Sequence, residues 1–482
     1  MNEAAETGPA KVFDLTTGVE VTTPTVLTAE ASPSTEPAKA SKKKKKADED
    51  EKTPRKPIAA YVGPDGSLAE LVKHPTKGML LAYYSARRKQ ITYKQSLGVK
   101  CNGEDEILYA YPDKKNLIGS GVVTLPTVAA SYKSTADILD KMVGIFREYA
   151  FGPDRWPYIL SAYCLSTWIY DAYDAVAYVK FMGEGGSGKG RFQEIARGIS
   201  YRGTLVNGAS TAAVIFRIID LFRGTMICDE SDFDRSDAAA MMAKIINIGN
   251  QRSGVVLRCD NEDKFAVEPF SAYCPKIFGG KSLWADDSLE TRCLRFNTED
   301  LEMPATMPRG LHQGLDIWPR MEEIRNMALR WRFDHFGKVR ADETPLLNFD
   351  NRTVQVCAPI YAILPDKNWQ TMFLDFLADK QGHDDDNAPK ARMARLLLDP
   401  AMRPLSDKRV ADIQEAWNAP FVTDSYVDKE QMLSDKAASK LIRHLGFELK
   451  HKNDGNHILP TQKSQDAYAK IQRKYGGGKT KI

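Results

Sequence analysis

The residues with the clearest chemical meaning form a glycine-rich loop, G-x-x-x-x-G-K, at residues 183–189. A β-prone run at 177–182 precedes this loop, and a helical pattern begins at Phe192 and stops near Gly198. Glycines let successive backbone N–H groups face a phosphate, and the start of the next helix adds positive partial charge. Lys189 would then reach the β- and γ-phosphates of a nucleotide. The candidate nucleotide-binding residues are Gly183, Glu184, Gly185, Gly186, Ser187, Gly188, Lys189, Gly190 and Arg191.

One position in this loop departs from the usual motif. Gly190 stands where Ser or Thr normally supplies a hydroxyl to Mg²⁺. The missing hydroxyl predicts weaker fixation of the metal. A glycine-rich turn with an incidental lysine is the alternative interpretation, but the strand-loop-helix order favours phosphate binding.

A pair of acids provides the expected partner for Lys189. Residues 225–228 are mostly apolar, and Asp229 and Glu230 follow them directly. Apolar side chains predict a strand buried in a parallel sheet, and ligands of such sheets gather where the strands end. Asp229 would hold Mg²⁺, and Glu230 would orient and activate the attacking water. Tandem acids also cap helices, so the pair indicates a nucleotide site only when it is taken together with Lys189.

A third polar cluster follows another apolar run. Residues 275–278 predict a buried strand that ends near Lys281 and Ser282. An acidic segment at 286–290 then leads to Arg292 and to a strand-like run at 293–296.

Together these motifs resemble the ATPase core of AAA+ and superfamily 3-like helicases of phages, plasmids and other mobile elements. In that group a strand with a terminal polar sensor is followed by a short helix and an arginine that serves a neighbouring subunit's ATP. The resemblance therefore implies that Lys281 or Ser282 is the sensor, and that Arg292 is an arginine finger that neutralises the transition state. The alternative is that Arg292 is a surface arginine beside an acidic loop.

Between the acids and the sensor strand, the pattern predicts a helix at 238–248 and then a hairpin. Helicases of this group project basic residues of such a hairpin into a central channel. The resemblance makes Arg252, Arg258 and Lys264 candidate DNA contacts, of the sequence-neutral kind that a motor uses. Basic residues on a hairpin also serve simply to keep an edge soluble.

The remaining chain predicts an α/β protein with further modules. Residues 434–447 predict a capped helix, followed by a hairpin turn at 453–455. This resembles the end of a winged helix, in which Lys440 and Arg443 would contact DNA. A small fold used only for protein contacts is the alternative. The predicted segments are a disordered tail (1–57), a small β-rich accessory region (58–130), a P-loop NTPase (AAA+-like) core with a parallel sheet and a helical lead-in (131–300), a helical lid (301–400) and the winged-helix-like domain (401–482).

Composition sets broad limits on partners and location. The 482 residues carry a formal charge of +3, so overall charge does not by itself argue for nucleic acid. The seven cysteines are scattered, with no C-x-x-C pair to suggest zinc or a disulfide framework. No apolar run is long enough to span a bilayer, and no leader peptide is recognisable. We therefore expect no membrane partner and a location in the cytoplasm of a bacterial host.

These observations predict an ATP-driven DNA helicase or translocase that acts in replication of a phage or mobile element. ATP and Mg²⁺ would be its cofactors, and single-stranded or forked DNA its substrate. An arginine finger that acts in trans predicts a homo-oligomeric ring. No strand with Asp-x-Asp occurs in 58–130, so any primase would be a separate protein. A DNA-binding or loading switch with slow hydrolysis stays open because of Gly190, and a packaging ATPase is a third, weaker possibility.

Overall fold

The computed structural model describes residues 53–101, 103–206, 210–229, 237–259, 267–281, 284, 287–299, 301, 304–305, 307–308, 310–311, 316–387, 389–421 and 432–475. The chain divides into residues 1–53 and 54–482, and every element below belongs to the second unit. The predicted tail lies almost entirely outside the described residues.

Short strands make up the first part of this unit. They are β1 (Arg55–Ile58), β2 (Ala60–Val62), β3 (Leu68–His74), β4 (Gly78–Ser85), β5 (Gln90–Lys94), β6 (Ser96–Cys101) and β7 (Glu104–Ala110). β2 to β5 form an antiparallel sheet in chain order, while β7 pairs with β6 and, in parallel, with β1. Strands dominate residues 55–110, and β1 begins before the predicted boundary at residue 57.

The central part of the unit is built around a five-stranded sheet. Its elements are α1 (Thr135–Tyr149), α2 (Trp156–Ser166), β8 (Tyr178–Met182), α3 (Lys189–Ile199), β9 (Thr204–Val206), α4 (Ala212–Phe222), β10 (Met226–Cys228), α5 (Asp237–Ile248), β11 (Val255–Cys259), β12 (Val267–Ser271), β13 (Lys276–Gly280), α6 (Asp287–Glu290) and β14 (Cys293–Asn297). The strand order is β14-β8-β13-β10-β9, and each pairing is parallel. All five strands therefore end at one edge, the carboxyl edge, and begin at the opposite amino edge.

Burial explains why these strands form a parallel sheet. Strands covered by helices on both faces carry continuous apolar runs, whereas half-exposed strands alternate. Val179 and Phe181 in β8, and Ile277 and Phe278 in β13, are completely buried. The predicted strands at 225–228 and 275–278 are confirmed as β10 and β13.

The helical lead-in also follows its sequence pattern. Ser134 caps α1, because its hydroxyl accepts a hydrogen bond from the Asp137 N–H at 3.1 Å. The second helix of the lead-in is interrupted. α2 ends at Ser166 and a 3-10 turn takes over at Thr167–Ala172. The hydroxyls of Ser166 and Thr167 donate to carbonyls three residues earlier, at 2.7 and 2.6 Å, and such bonds compete with regular helix.

A buried ion network joins the accessory strands to this core. Glu70 on β3 accepts hydrogen bonds from Arg332 Nε at 2.7 Å and from Arg202. Arg332 also donates to both carboxylate oxygens of Asp171, at 2.6 and 2.7 Å. Glu70, Arg202 and Arg332 are almost completely buried, so loss of one partner leaves an uncompensated charge, at a cost of about 3–5 kcal/mol.

Helices dominate the rest of the chain. They are α7 (Ile317–His335), α8 (Asn351–Tyr361), α9 (Lys367–Asn387), α10 (Pro389–Leu398), α11 (Val410–Asn418), α12 (Asp435–His444) and α13 (Gln462–Tyr475), with a hairpin of β15 (Leu449–Lys452) and β16 (Gly455–Ile458) after α12. Residues of α7 to α9 share the hydrophobic core of the central sheet. A second core joins α10 to the C-terminal elements, although α10 lies within the predicted lid segment.

The C-terminal helix and hairpin confirm two local predictions. Ser434 caps α12, since its hydroxyl accepts from the Ala437 N–H at 3.3 Å. β15 and β16 pair in antiparallel register from Leu449–Ile458 to Lys452–Gly455. Across the described part of the chain, no helix combines the length and apolar character that crossing a bilayer requires.

Candidate active site

The glycine-rich loop connects β8 to α3 at the carboxyl edge of the sheet. Gly183, Gly186 and Gly188 have φ values of 149°, 86° and 91°, in the region that favours glycine. Gly183 has a second constraint, because a Cβ there would lie 2.7 Å from Thr298 Oγ1 and 2.8 Å from Ser187 Oγ. The loop therefore needs glycine for both its backbone turn and its close packing.

Thr298, which sequence reasoning missed, holds this loop in place. Its hydroxyl lies 2.7 Å from Ser187 Oγ and donates to the Met182 carbonyl at 2.9 Å. Thr298 follows β14 directly, so the end of the edge strand is fixed against the loop. A buried polar residue just after a predicted strand was the available sequence signal.

Lys189 opens α3 and turns back over the loop. Its ammonium donates hydrogen bonds to the carbonyls of Gly183 and, at 2.8 Å, of Glu184. The positive charge therefore lies at the mouth of the loop, beside the N-terminus of α3. Both features favour an anion at this point.

A cavity of about 500 Å³ opens over the loop and is lined by most of the predicted nucleotide-site residues. Its volume lies within the range typical of small-molecule sites. The lining residues are Phe151, Gly185, Gly186, Ser187, Gly188, Lys189, Gly190, Arg191, Phe192, Asp229, Gly279, Gly280, Lys281 and Leu301. The structure thus places the loop, the first predicted acid and the predicted sensor lysine around one space.

Asp229 reaches the cavity from a strand that is not adjacent to β8. It follows β10 directly, and β13 lies between β10 and β8. The Asp229 side chain is exposed, while the preceding Cys228 is buried. Burial, together with the neighbouring Asp229 charge, raises the pKa of the Cys228 thiol to about 12, so the thiol stays neutral beside the carboxylate.

Gly279 on the intervening strand leaves room for two polar groups. A Cβ at this position would lie 2.6 Å from Gln193 Oε1 and 2.8 Å from Asp229 Oδ1. Both oxygens therefore flank the same point above β13. Sequence reasoning missed Gly279 and Gln193, although a polar residue one turn after Lys189 on the buried side of α3 was a possible signal.

The donor set fits a magnesium-nucleotide complex better than a protein-only metal site. Among the described residues, no group of three or more His, Cys, Asp or Glu side chains could hold a metal. Mg²⁺ is commonly held by one or two carboxylates together with substrate phosphates and waters. Asp229 beside the glycine-rich loop would supply this kind of partial ligand set.

Two other predicted residues lie at the rim of the cavity. Lys281 Nζ is 3.9 Å from Glu184 Oε2, and both side chains are exposed. Arg191 Nη1 donates to the Tyr149 carbonyl at 3.0 Å, and burial lowers the pKa of its guanidinium. Glu230 and Ser282 lie outside the described residues, so their roles stay predictions.

Arg292 lies at the amino edge of the sheet, at the opposite end from the loop. Cys293 pairs with Tyr178 and Asn297 with Met182, which places Cys293 about 13 Å back along the strand from the loop end. Arg292 Nη1 donates to Asn247 Oδ1 on α5 at 2.9 Å. From this position an arginine side chain cannot contact a phosphate held by its own loop.

The predicted hairpin is confirmed as β11 and β12, but its basic residues differ in their surroundings. Arg252, just before β11, donates to the carbonyls of Asp171 and Tyr173. Arg258 lies over the Phe216 ring at 5.0 Å and pairs across the hairpin with Glu268. Lys264 lies outside the described residues.

The C-terminal basic residues have a more open setting. Lys440 and Arg443 lie three residues apart on α12, where both are exposed. The opposite side of the helix carries the buried Ala438 and Ile442. Lys440 and Arg443 therefore share a surface that faces away from the second core.

Comparisons with known proteins add only a loose similarity. No protein-family model matches the chain, and no curated protein matches it. One similar solved structure is described as "SCCmec type IV Cch - active helicase", with a TM-score of 0.41, 8% identity, and coverage of 89% of this chain and 73% of that chain. Another is the apo C-terminal region of NrS-1, with a TM-score of 0.29, 9% identity, and coverage of 81% of this chain and 96% of that chain. Neither similarity identifies a family.

The fold and the site together define a class. The described chain is a mixed α/β protein with a five-stranded parallel sheet, consistent with a nucleoside-triphosphatase core.

Proposed function

We propose that this protein is an ATPase that converts ATP and water to ADP and phosphate at the carboxyl edge of its parallel sheet. The observation that carries the proposal is that Lys189 and Asp229, from separate segments, line one cavity above a glycine loop at a helix N-terminus. Lys189 would exchange its bonds to loop carbonyls for the β- and γ-phosphates. Phe151, which is 40% exposed at the cavity, offers an apolar surface to the base.

The reaction requires charge stabilisation and a positioned water. Mg²⁺, held by Asp229 and the phosphates, would neutralise charge on the β- and γ-oxygens. Glu230 would orient the water and accept its proton as the water oxygen bonds to the γ-phosphorus. The bond to the bridging oxygen breaks, and ADP carries the electron pair away. Lys281 would sense the γ-phosphate.

We further propose that hydrolysis drives movement along single-stranded or forked DNA, as in a helicase or translocase for replication of a phage or mobile element. Two surfaces support this proposal. Arg252 precedes the hairpin β11–β12 and Arg258 lies on it, while α12 exposes Lys440 and Arg443. Lys264 stays a predicted contact outside the described residues. Contacts of lysine and arginine with DNA phosphates suit a motor, because they are independent of sequence. The reaction would take place in a bacterial cytoplasm, with any primase as a separate partner.

The position of Arg292 supports assembly into a homo-oligomeric ring. Arg292 lies at the amino edge, too far from the loop of its own chain to act there. An arginine finger at this position would instead complete the site of a neighbouring subunit. Hydrolysis would then occur at subunit interfaces.

A second candidate function is a DNA-binding or loading switch that hydrolyses ATP slowly. Gly190 favours it, because the hydroxyl that usually fixes Mg²⁺ is missing. The loop would accept that hydroxyl, since a Cβ at Gly190 meets nothing within 4 Å. Gly190→Ser is therefore a clean test, with Gly190→Ala as its matched control.

The deciding experiment measures phosphate release and unwinding of a forked duplex by the full chain. For a motor, single-stranded DNA stimulates turnover, added salt weakens the stimulation, and the fork is separated with ATP and Mg²⁺. Glu230→Gln should bind ATP but stop turnover. A switch would bind DNA more tightly with ATP and separate no strands, and Gly190→Ser, but not Gly190→Ala, would raise hydrolysis by orders of magnitude. Normal hydrolysis by Glu230→Gln would remove the base assignment.

A further inference from the structure

Gln193 has an unusual combination of burial and bonding. It lies on α3 one helical turn after Lys189, and only 3% of its surface is exposed. Its Nε2 donates a hydrogen bond to the carbonyl of Cys228 at 3.1 Å. The amide nitrogen, and not the amide oxygen, therefore faces the end of β10. The other amide atom, Oε1, is buried with no hydrogen-bond partner among the described residues.

The unpartnered oxygen lies close to the acid of the site. Oε1 and Asp229 Oδ1 lie 2.6 and 2.8 Å from the position that a Cβ on Gly279 would occupy. Gly279 itself lines the nucleotide cavity. Because each oxygen lies within 2.8 Å of that position, the two are close together and form a local negative potential, which favours a cation or a hydrogen of its bound water.

This arrangement is costly in the protein alone. A buried acceptor without a hydrogen bond costs about 1–3 kcal/mol. A methionine or leucine would fill similar space on α3 without that cost, although it would also remove the donor to the Cys228 carbonyl. The Gln193 oxygen can form a polar contact only when a ligand places a hydrogen-bond donor or a cation beside it.

The absence of a hydroxyl at Gly190 explains why Mg²⁺ would need an oxygen from another residue. The usual hydroxyl next to the loop lysine is absent, so residue 190 offers Mg²⁺ no oxygen ligand. Gln193 Oε1, from the next turn of the same helix, lies near Asp229 Oδ1.

We propose that Gln193 is a metal-positioning residue, whose amide oxygen, with Asp229, orders hydrated Mg²⁺ of the Mg-nucleotide complex in place of the hydroxyl that Gly190 lacks. This inference rests on the proposed ATP site. Groups that orient the surroundings of a metal typically contribute 10–100-fold to metal affinity. The effect belongs to the metal-dependent part of nucleotide binding, and not to the contacts of Lys189 with phosphate.

The test measures the dissociation constant of a non-hydrolysable ATP analogue in Mg²⁺ and in EDTA, for the full chain. The ratio of the two constants reports the metal contribution without any turnover. Gln193→Met should leave binding in EDTA within about twofold and reduce the Mg²⁺ effect by about tenfold or more. Adding Gly190→Ser to Gln193→Met should restore much of the effect, whereas adding Gly190→Ala should not.

Three outcomes would overturn the inference. One is a full Mg²⁺ effect in Gln193→Met, and another is an equal loss of affinity in Mg²⁺ and EDTA, which indicates a structural role. If Gln193→Met does not fold, Gln193→Glu decides, because it keeps an oxygen at this position and should retain at least the Mg²⁺ effect of the unaltered chain. The third outcome is a smaller Mg²⁺ effect in Gln193→Glu than in the unaltered chain. If the unaltered chain binds no nucleotide, the proposed function itself fails, which is a distinguishable result.

Discussion

The two edges of the parallel sheet use basic side chains in opposite ways. At the carboxyl edge, Lys189 and Lys281 border an open cavity. At the amino edge, Lys276 is completely buried, and its ammonium donates to the carbonyls of Gly249, Ala272 and Cys274 at 3.0–3.1 Å. Lys189 and Lys281 therefore border the space proposed for a ligand, whereas Lys276 joins loops.

The place of a lysine in this sheet therefore decides its role. Burial lowers the pKa of Lys276, since desolvation penalises the charged form. The carbonyl oxygens around it offset that penalty and are themselves satisfied by it. Lys189 also bonds to carbonyls, but its partners lie in an open loop where a phosphate can replace them. Function at one edge and stability at the other should therefore be separable by mutation.

The largest expected effect contrasts Lys189→Ala with Lys276→Ala. Lys189→Ala should lower ATP turnover by at least about 10²–10³-fold and weaken nucleotide binding, with little change in the free energy of unfolding. Lys276→Ala should instead lower the free energy of unfolding by about 3–5 kcal/mol, because buried carbonyls lose their donor and a cavity forms. Denaturant titration and phosphate release measure the two effects. The comparison fails if both variants lose stability to the same extent.

A second prediction concerns the distance between the edges. Arg292→Ala and Glu230→Gln proteins should each be nearly inactive alone, since each lacks one side of every shared site. Mixed together, they should recover part of the phosphate release, because some interfaces combine an intact loop and acids with an intact arginine. Mixing Lys189→Ala with Glu230→Gln is the matched control and should recover nothing, as both changes fall on the same side. Absence of recovery in mixed assemblies that demonstrably form would contradict a role in trans.

Local sequence patterns predicted the elements of this site well. Apolar runs ending in polar residues located β10 and β13, and the glycine loop located the β8–α3 connection. These features depend on periodicity and on backbone requirements within a few residues. The Ser134 cap of α1 was predictable for the same reason.

Contacts between distant segments could not be read in the same way. The insertion of β13 between β8 and β10 depends on which strands pair, and the bond between Ser187 and Thr298 depends on the register of β14. The proximity of Gln193 to Asp229 depends on how α3 packs against β13 and on the place of β10 beside that strand. Arg252 is the clearest example, because nothing in its neighbourhood along the chain reveals that it bonds to carbonyls at 171 and 173.

The smallest expected effect compares Arg252 with the basic residues of α12 as DNA contacts. Lys440 and Arg443 are exposed on one surface, whereas the Arg252 guanidinium already donates to two carbonyls of its own chain. A phosphate contact contributes about 0.7 to the slope of log affinity against log salt for single strands. Lys440→Ala with Arg443→Ala should therefore reduce the slope by about 1.4, and Arg252→Ala by less than a single contact. Fluorescence anisotropy with labelled single-stranded DNA at several salt concentrations measures the slopes. If Arg252→Ala has the larger effect, the hairpin rather than α12 is the principal DNA surface, and Arg252 must release its carbonyls when DNA binds.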